Sequence, residues 1–93
     1  MLTLPIKKKW FDMILSGEKK EEYREIKPYY QVRLNEWAYT GIHTILLRNG
    51  YSKSSPTLEC ECFIEIDYGK EEWGAEPNKM YYVLKILSVE KVD

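Results

Sequence analysis

The chain has 93 residues, 44% hydrophobic and 14% aromatic, enough for one small domain spanning residues 1–93 and too few for a two-domain enzyme. Charged residues make up 31%, yet fourteen Lys and Arg against fifteen Asp and Glu leave a net charge of −1, which argues against a protein that coats nucleic acid by bulk charge. No apolar run approaches the roughly 20 residues that cross a bilayer, and no apolar stretch precedes a small-residue cleavage site. The expectation is a soluble cytoplasmic monomer without membrane contact.

Leu2, Leu4 and Ile6 alternate with Thr3 and Pro5 as a short first strand, with the proline at its edge or end. The period then changes. Trp10, Phe11, Ile14 and Leu15 form one apolar stripe of a two- to three-turn helix from Lys8 to Ser16, and Gly17 suits a left-handed cap. Lys20 to Arg24 is too charged for a buried strand but suits one with a wet face. Pro28 to Tyr39 reads as a second helix that starts at a proline and ends near Gly41.

Ile42 to Arg48 reads as a buried strand and Asn49-Gly50 as a turn, followed by a loop over residues 51–56. Residues 58–68 give the clearest strand. Leu58, Cys60, Cys62, Ile64, Ile66 and Tyr68 share one face, Glu59, Glu61, Glu65 and Asp67 the other, and Phe63 breaks the pattern. Residues 69–79 form a polar connection, and Met80 to Val92 closes the sheet. The order β-α-β-α-β-β-β defines an α+β domain, a curled, mostly antiparallel, barrel-like sheet of five to six strands with two short helices at its side.

Cys60 and Cys62 lie two apart on one strand face, about 6–7 Å along it, which suits reduced core residues better than a disulfide. His43 has no partner at a zinc-like spacing, so neither a metal nor another cofactor is expected. Charge is uneven: residues 1–58 carry ten basic and six acidic side chains (+4), and residues 59–93 carry four and nine (−5). That asymmetry suits either a local anion site or solvated faces of differing sign.

The segment Gly17 to Arg24 stands out as a glycine turn feeding a charged strand. In a strand, Lys20, Glu22 and Arg24 share one side and Lys19, Glu21 and Tyr23 the other. With Lys19 still in the turn, Lys19, Glu22 and Arg24 can converge on one pocket. The competing reading is an edge strand whose charges deter aggregation.

The run Pro5-Ile6-Lys7, Trp10-Phe11, Ile14, Gly17-x-Lys19-x-x-Glu22-x-Arg24 resembles the ASCH domain, whose signature is a helix followed by G-x-K-x-x-E-x-R. Lys27-Pro28-Tyr29, Arg33-Leu34, Arg48-Asn49-Gly50-Tyr51, Tyr68-Gly69-Lys70 and Trp73-Gly74 are similar to the small stand-alone members, so the resemblance covers nearly the whole chain. It implies a PUA-like fold with a cleft beside the first helix that binds RNA or a modified nucleotide or nucleoside. The cleft residues are then Lys7, Lys19, Glu22, Arg24, Arg48, Asn49 and Tyr51, with Lys19 and Arg24 facing a phosphate and Glu22 orienting Arg24 or accepting from a base amino group. Tyr51, Tyr29 or Trp73 would supply a flat surface for a base, although most aromatics in so small a chain must build the core.

One branch of the family removes the acyl group from acylated cytidine with a lysine, a threonine and a glutamate. The lysine corresponds to Lys19, but the threonine position holds Glu22, and a carboxylate does not replace a hydroxyl nucleophile without changing the intermediate. Glu71, Glu72 and Glu76 are candidates for the glutamate. Two further classes therefore stand beside the binding module. One is a small hydrolase, an amidohydrolase or single-strand ribonuclease, with Lys19 and Glu22 as catalytic pair; the other is a protein-interaction domain exposing Tyr29, Tyr30 and Trp37.

Overall fold

The computed structural model describes residues 1–92. Its elements are β1 (Leu2–Pro5), α1 (Lys8–Ser16), β2 (Glu21–Glu25), α2 (Pro28–Leu34), β3 (His43–Arg48), β4 (Thr57–Tyr68) and β5 (Met80–Val92). This is the α+β order expected from the sequence, with five strands in one curled half-barrel sheet ordered β1-β3-β4-β5-β2. The pairings β3–β4, β4–β5 and β5–β2 are antiparallel, whereas β1 lies parallel to β3, so the sheet is mixed. The parallel pair is possible because α1, β2 and α2 intervene and bring the chain back in the same direction.

Local chemistry accounts for most element ends. The Gly17 backbone is left-handed (φ 86°) and its N–H returns to the Ile14 carbonyl, closing α1. Lys27 is extended, as a residue before proline must be, and Pro28 opens α2. The second helix is shorter than the sequence suggests: α2 stops at Leu34 and a single 3₁₀ turn carries the chain to Trp37. Tertiary partners take over there. Tyr82 OH donates to Asn35 Oδ1, the Trp37 ring stacks on His43, and Tyr39, left-handed at φ 61°, donates its N–H to the Ile64 carbonyl. The segment thus leaves helix to lie along the end of β4, with which Ala38 forms a parallel bridge to Ile64.

The same segment explains Phe63. It lies on the wet face of β4, but the Tyr39 ring sits over it at 6.4 Å and 75°, and the Tyr39 hydroxyl bonds to both backbone groups of Ile66. Between Glu61 and Cys62 the β4–β5 register shifts, leaving Leu87 as the extra residue, and this bulge adds to the curl of the sheet.

The main core lies between the concave face and the two helices. Leu4, Ile14, Leu34, Ile45, Ile64 and Leu84 are all buried there, and the two thiols are free and buried beside them. A smaller cluster covers the opposite face of β5, where Tyr81, Val83 and Ala75 pack with Tyr23. It forms because the connection after β4 folds back onto the sheet and makes a 3₁₀ turn at Glu71–Trp73. Tyr81 to Leu84 are therefore buried in succession, without alternation. Gly69 permits this return. A Cβ there would stand 2.7 Å from both the Ala75 Cβ and the Tyr23 ring, in a backbone region open to any residue.

Gly69→Ala is expected to lower stability by about 1–3 kcal/mol through overpacking alone, read as a shift in urea midpoint without a change in slope. Burial pushes the Cys60 and Cys62 thiols up from 9.0 to about 12. Their folded values lie above the unfolded ones, so the stability they contribute is complete below about pH 9 and is lost as pH rises toward 12. Urea titrations at neutral pH and at about pH 10.5 should show this loss, and it should be smaller in a Cys60→Ala, Cys62→Ala variant.

Candidate functional site

The half-barrel leaves a seam between its two edge strands, β1 and β2, and the charged side chains of β2 close it. Glu22 and Arg24 pair across the sheet with the buried residues Leu84 and Tyr82, and so point to the concave side. Lys19 precedes the strand, in the turn after Gly17, and escapes the strand's alternation. All three converge. Lys19 Nζ lies 3.1 Å from Glu22 Oε1, and Arg24 Nη2 donates to Glu22 Oε2 at 2.6 Å.

The triad is buried, with relative exposures of 1%, 6% and 8% for Lys19, Glu22 and Arg24. Withdrawing such charges from water costs several kcal/mol per ion, so every contact matters. Lys19 Nζ also donates to the Trp73 carbonyl at 2.7 Å and lies over the rings of Trp10 and Tyr23 at 4.9 and 4.8 Å. Arg24 Nη2 also donates to the Pro5 carbonyl at 2.7 Å, bridging β2 to the end of β1, and Nη1 donates to Tyr30 OH at 3.2 Å. Its Nε is buried without a partner.

Burial lowers the Lys19 pKa, and the Glu22 carboxylate offsets part of that shift. The folded chain holds this proton less tightly than the unfolded chain. The contribution of Lys19 to stability therefore rises as pH climbs from the lowered value toward the unfolded one, opposite in sign to the two thiols.

Beside the triad lies a cleft of about 590 Å³, within the size range of small-ligand sites. Glu22 and Arg24 form one wall; Ile6, Lys7 and Trp10 form another where β1 passes into α1; Asn49, Gly50 and Tyr51 form the rim. Asn49 Nδ2 donates to the Ile6 carbonyl at 2.9 Å, tying that rim to the exit of β1. Both Glu22 oxygens already accept one cation each, and each retains a lone pair for a donor in the cleft.

Of the residues expected at the site, Lys7, Glu22, Arg24, Asn49 and Tyr51 line this cleft. Lys19 does not line it. It is sealed behind Glu22 by Trp73, Trp10 and Tyr23, so the expected contact between Lys19 and a phosphate is replaced by support of the Glu22 carboxylate. Arg48 lines an adjoining cavity of about 360 Å³ with Thr3, across a ridge of Pro5, Gly50 and Tyr51 that both cavities share.

Tyr29 and Trp73 are also away from the cleft: Tyr29 lies under the Arg33 guanidinium and Trp73 under Lys70. Tyr51 does line the cleft, and Trp10, which the helix stripe assigned to the core and which packs against it, adds a second aromatic ring to the lining. Its position next to Lys7, at the strand-to-helix junction, was the available signal. Neither Glu71, Glu72 nor Glu76 lines the cleft, and Glu76 forms an exposed pair with Lys79. Tyr29, Tyr30 and Trp37 do not form one exposed patch, because Tyr30 and Trp37 pack against the core.

No family model, no curated protein and no solved structure matches this chain, so a functional reading rests on the geometry of the site.

Removing the shared carboxylate should be the most damaging change in the triad. Glu22→Gln leaves two buried cations without a counter-charge and is expected to cost about 3–5 kcal/mol in urea unfolding. Lys19→Met, which leaves the Glu22–Arg24 pair intact and removes a desolvated charge, should cost clearly less.

Proposed function

We propose that the chain is a binding module of the ASCH type, with a PUA-like fold, that holds an RNA base or a modified nucleotide or nucleoside in the cleft beside α1. The observation that carries this reading is the Glu22 carboxylate, buried, held by two cations and turned to a cleft whose wall includes an indole ring. A fixed acceptor beside a flat apolar surface suits a heterocycle that carries an N–H donor and can stack. The triad carries two positive charges against one negative, and Lys7 adds an exposed cation at the rim, so an anionic ligand is favoured over a cationic one. A compact ligand also fits a chain of net charge −1, which has no excess of cations to follow a long phosphate backbone.

The alternative, a small hydrolase using Lys19 and Glu22, draws on their 3.1 Å contact and on the lowered Lys19 pKa. Lys19 does not line the cleft, so any proton it exchanges with a ligand has to pass through Glu22.

Titration of isotope-labelled protein with cytidine, N4-acetylcytidine, CMP and a short single-stranded RNA distinguishes these readings. Binding in the cleft should shift the signals of Lys7, Trp10, Asn49 and Tyr51 and leave the ligand intact. Appearance of product that is abolished by Glu22→Gln, in a variant whose amide spectrum remains that of the folded protein, would establish the hydrolase, and absence of shifts with all four ligands would refute the cleft assignment.

A further inference from the structure

The two cations singled out by the motif are poorly placed to meet a phosphate. Lys19 is sealed from the cleft, and Arg24 already directs Nη2 to Glu22 and the Pro5 carbonyl and Nη1 to Tyr30 OH. Arg48 differs in each respect. It is half-buried on the convex side of the sheet, where it lines the cavity of about 360 Å³ beyond the Pro5–Gly50–Tyr51 ridge. Its Nε donates to Thr57 Oγ1 at 3.2 Å, and the Thr57 hydroxyl, itself buried, donates to the Ser55 carbonyl at 2.9 Å.

The guanidinium is thus oriented from one side only. Among the described residues no carboxylate pairs with Arg48, and no protein acceptor takes a hydrogen bond from its Nη1 or Nη2. A guanidinium pinned through Nε retains its terminal N–H groups for a tetrahedral or planar oxyanion, the geometry in which arginine binds phosphate most strongly. The ridge that separates this cavity from the larger cleft consists of residues common to both, so one ligand can occupy the two sides at once.

We propose that Arg48 is the phosphate-binding group of a nucleotide-class ligand, whose base lies in the cleft by Glu22 and Trp10 and whose sugar crosses the ridge at Gly50 and Tyr51. This rests on the nucleoside reading of the cleft and adds the place of the anion. The phosphate is either the monoester of a free nucleotide or a diester of a single strand, and both present the same oxygens to the guanidinium.

The test is calorimetric binding of cytidine, CMP and a short single-stranded RNA to the parent protein, Arg48→Gln and Arg48→Lys. The parent should bind CMP at least about tenfold more tightly than cytidine, as expected for a charge-assisted contact. Arg48→Gln should bring that ratio close to one and leave cytidine affinity unchanged, while Arg48→Lys should retain part of the advantage. Arg48→Lys keeps the charge and stem, and decides the matter if the glutamine variant folds poorly.

For RNA, a salt dependence that falls by about 0.7 in slope in Arg48→Gln identifies a diester as the bound group. An unchanged slope beside a lost CMP advantage identifies the monoester. The proposal is overturned if CMP binds no better than cytidine, or if its advantage survives both substitutions while cytidine still binds in the cleft. If none of the three ligands binds the parent protein, the reading of the cleft fails together with it.

Discussion

A single carboxylate holds the seam of this half-barrel. Glu22 stands between Lys19 and Arg24, and Arg24 reaches on to the Pro5 carbonyl, so one chain of polar contacts links the turn after α1, β2 and the end of β1. A buried ion pair is seldom worth much net stability, because desolvation offsets the attraction. Its value here is geometric. Removal of Glu22 leaves two buried cations without a counter-charge, and this penalty favours one arrangement of the two sheet edges.

The connection after β4 supports that arrangement from outside. It brings the Trp73 carbonyl to Lys19, and it packs Ala75 onto Tyr23 and Tyr81. Gly74, left-handed at φ 101°, lies against the indole of Trp10, where a Cβ would come within 2.9 Å of the ring. The indole that walls the cleft is therefore positioned by a segment whose composition is polar and whose residues do not enter the cleft. Packing on the convex face and the shape of the site are coupled through the Lys19 ammonium and the Trp10 ring.

This arrangement separates two tasks that one cluster of charges would otherwise have to combine. Lys19 and Arg24 are committed to Glu22, which leaves an oriented acceptor beside Lys7, the exposed cation of the cleft lining. In the binding role proposed above, such a site would discriminate through hydrogen bonding and shape, since a ligand without a matching donor would leave the remaining lone pairs of a buried carboxylate unmet. Bulk attraction plays little part in a chain with a net charge of −1.

Much of the architecture was legible in the residues. Gly17 and Pro28 mark helix ends because each restricts or permits a backbone conformation locally, and the alternation from Leu58 to Ile66 reports a half-buried strand directly. The convergence of Lys19 with Glu22 and Arg24 was legible too, as one of two readings, because a residue in a turn is free of strand parity. Other features were decided only by the tertiary structure. The early end of α2 at Leu34, the cover over Phe63, the unbroken burial of Tyr81 to Leu84, the sealing of Lys19 and the place of Trp10 in the cleft wall all depend on segments distant in the chain. Periodicity shows which face of an element is apolar. It carries no information about which distant segment comes to lie on that face, because this choice is made by the whole chain when it excludes water from its core.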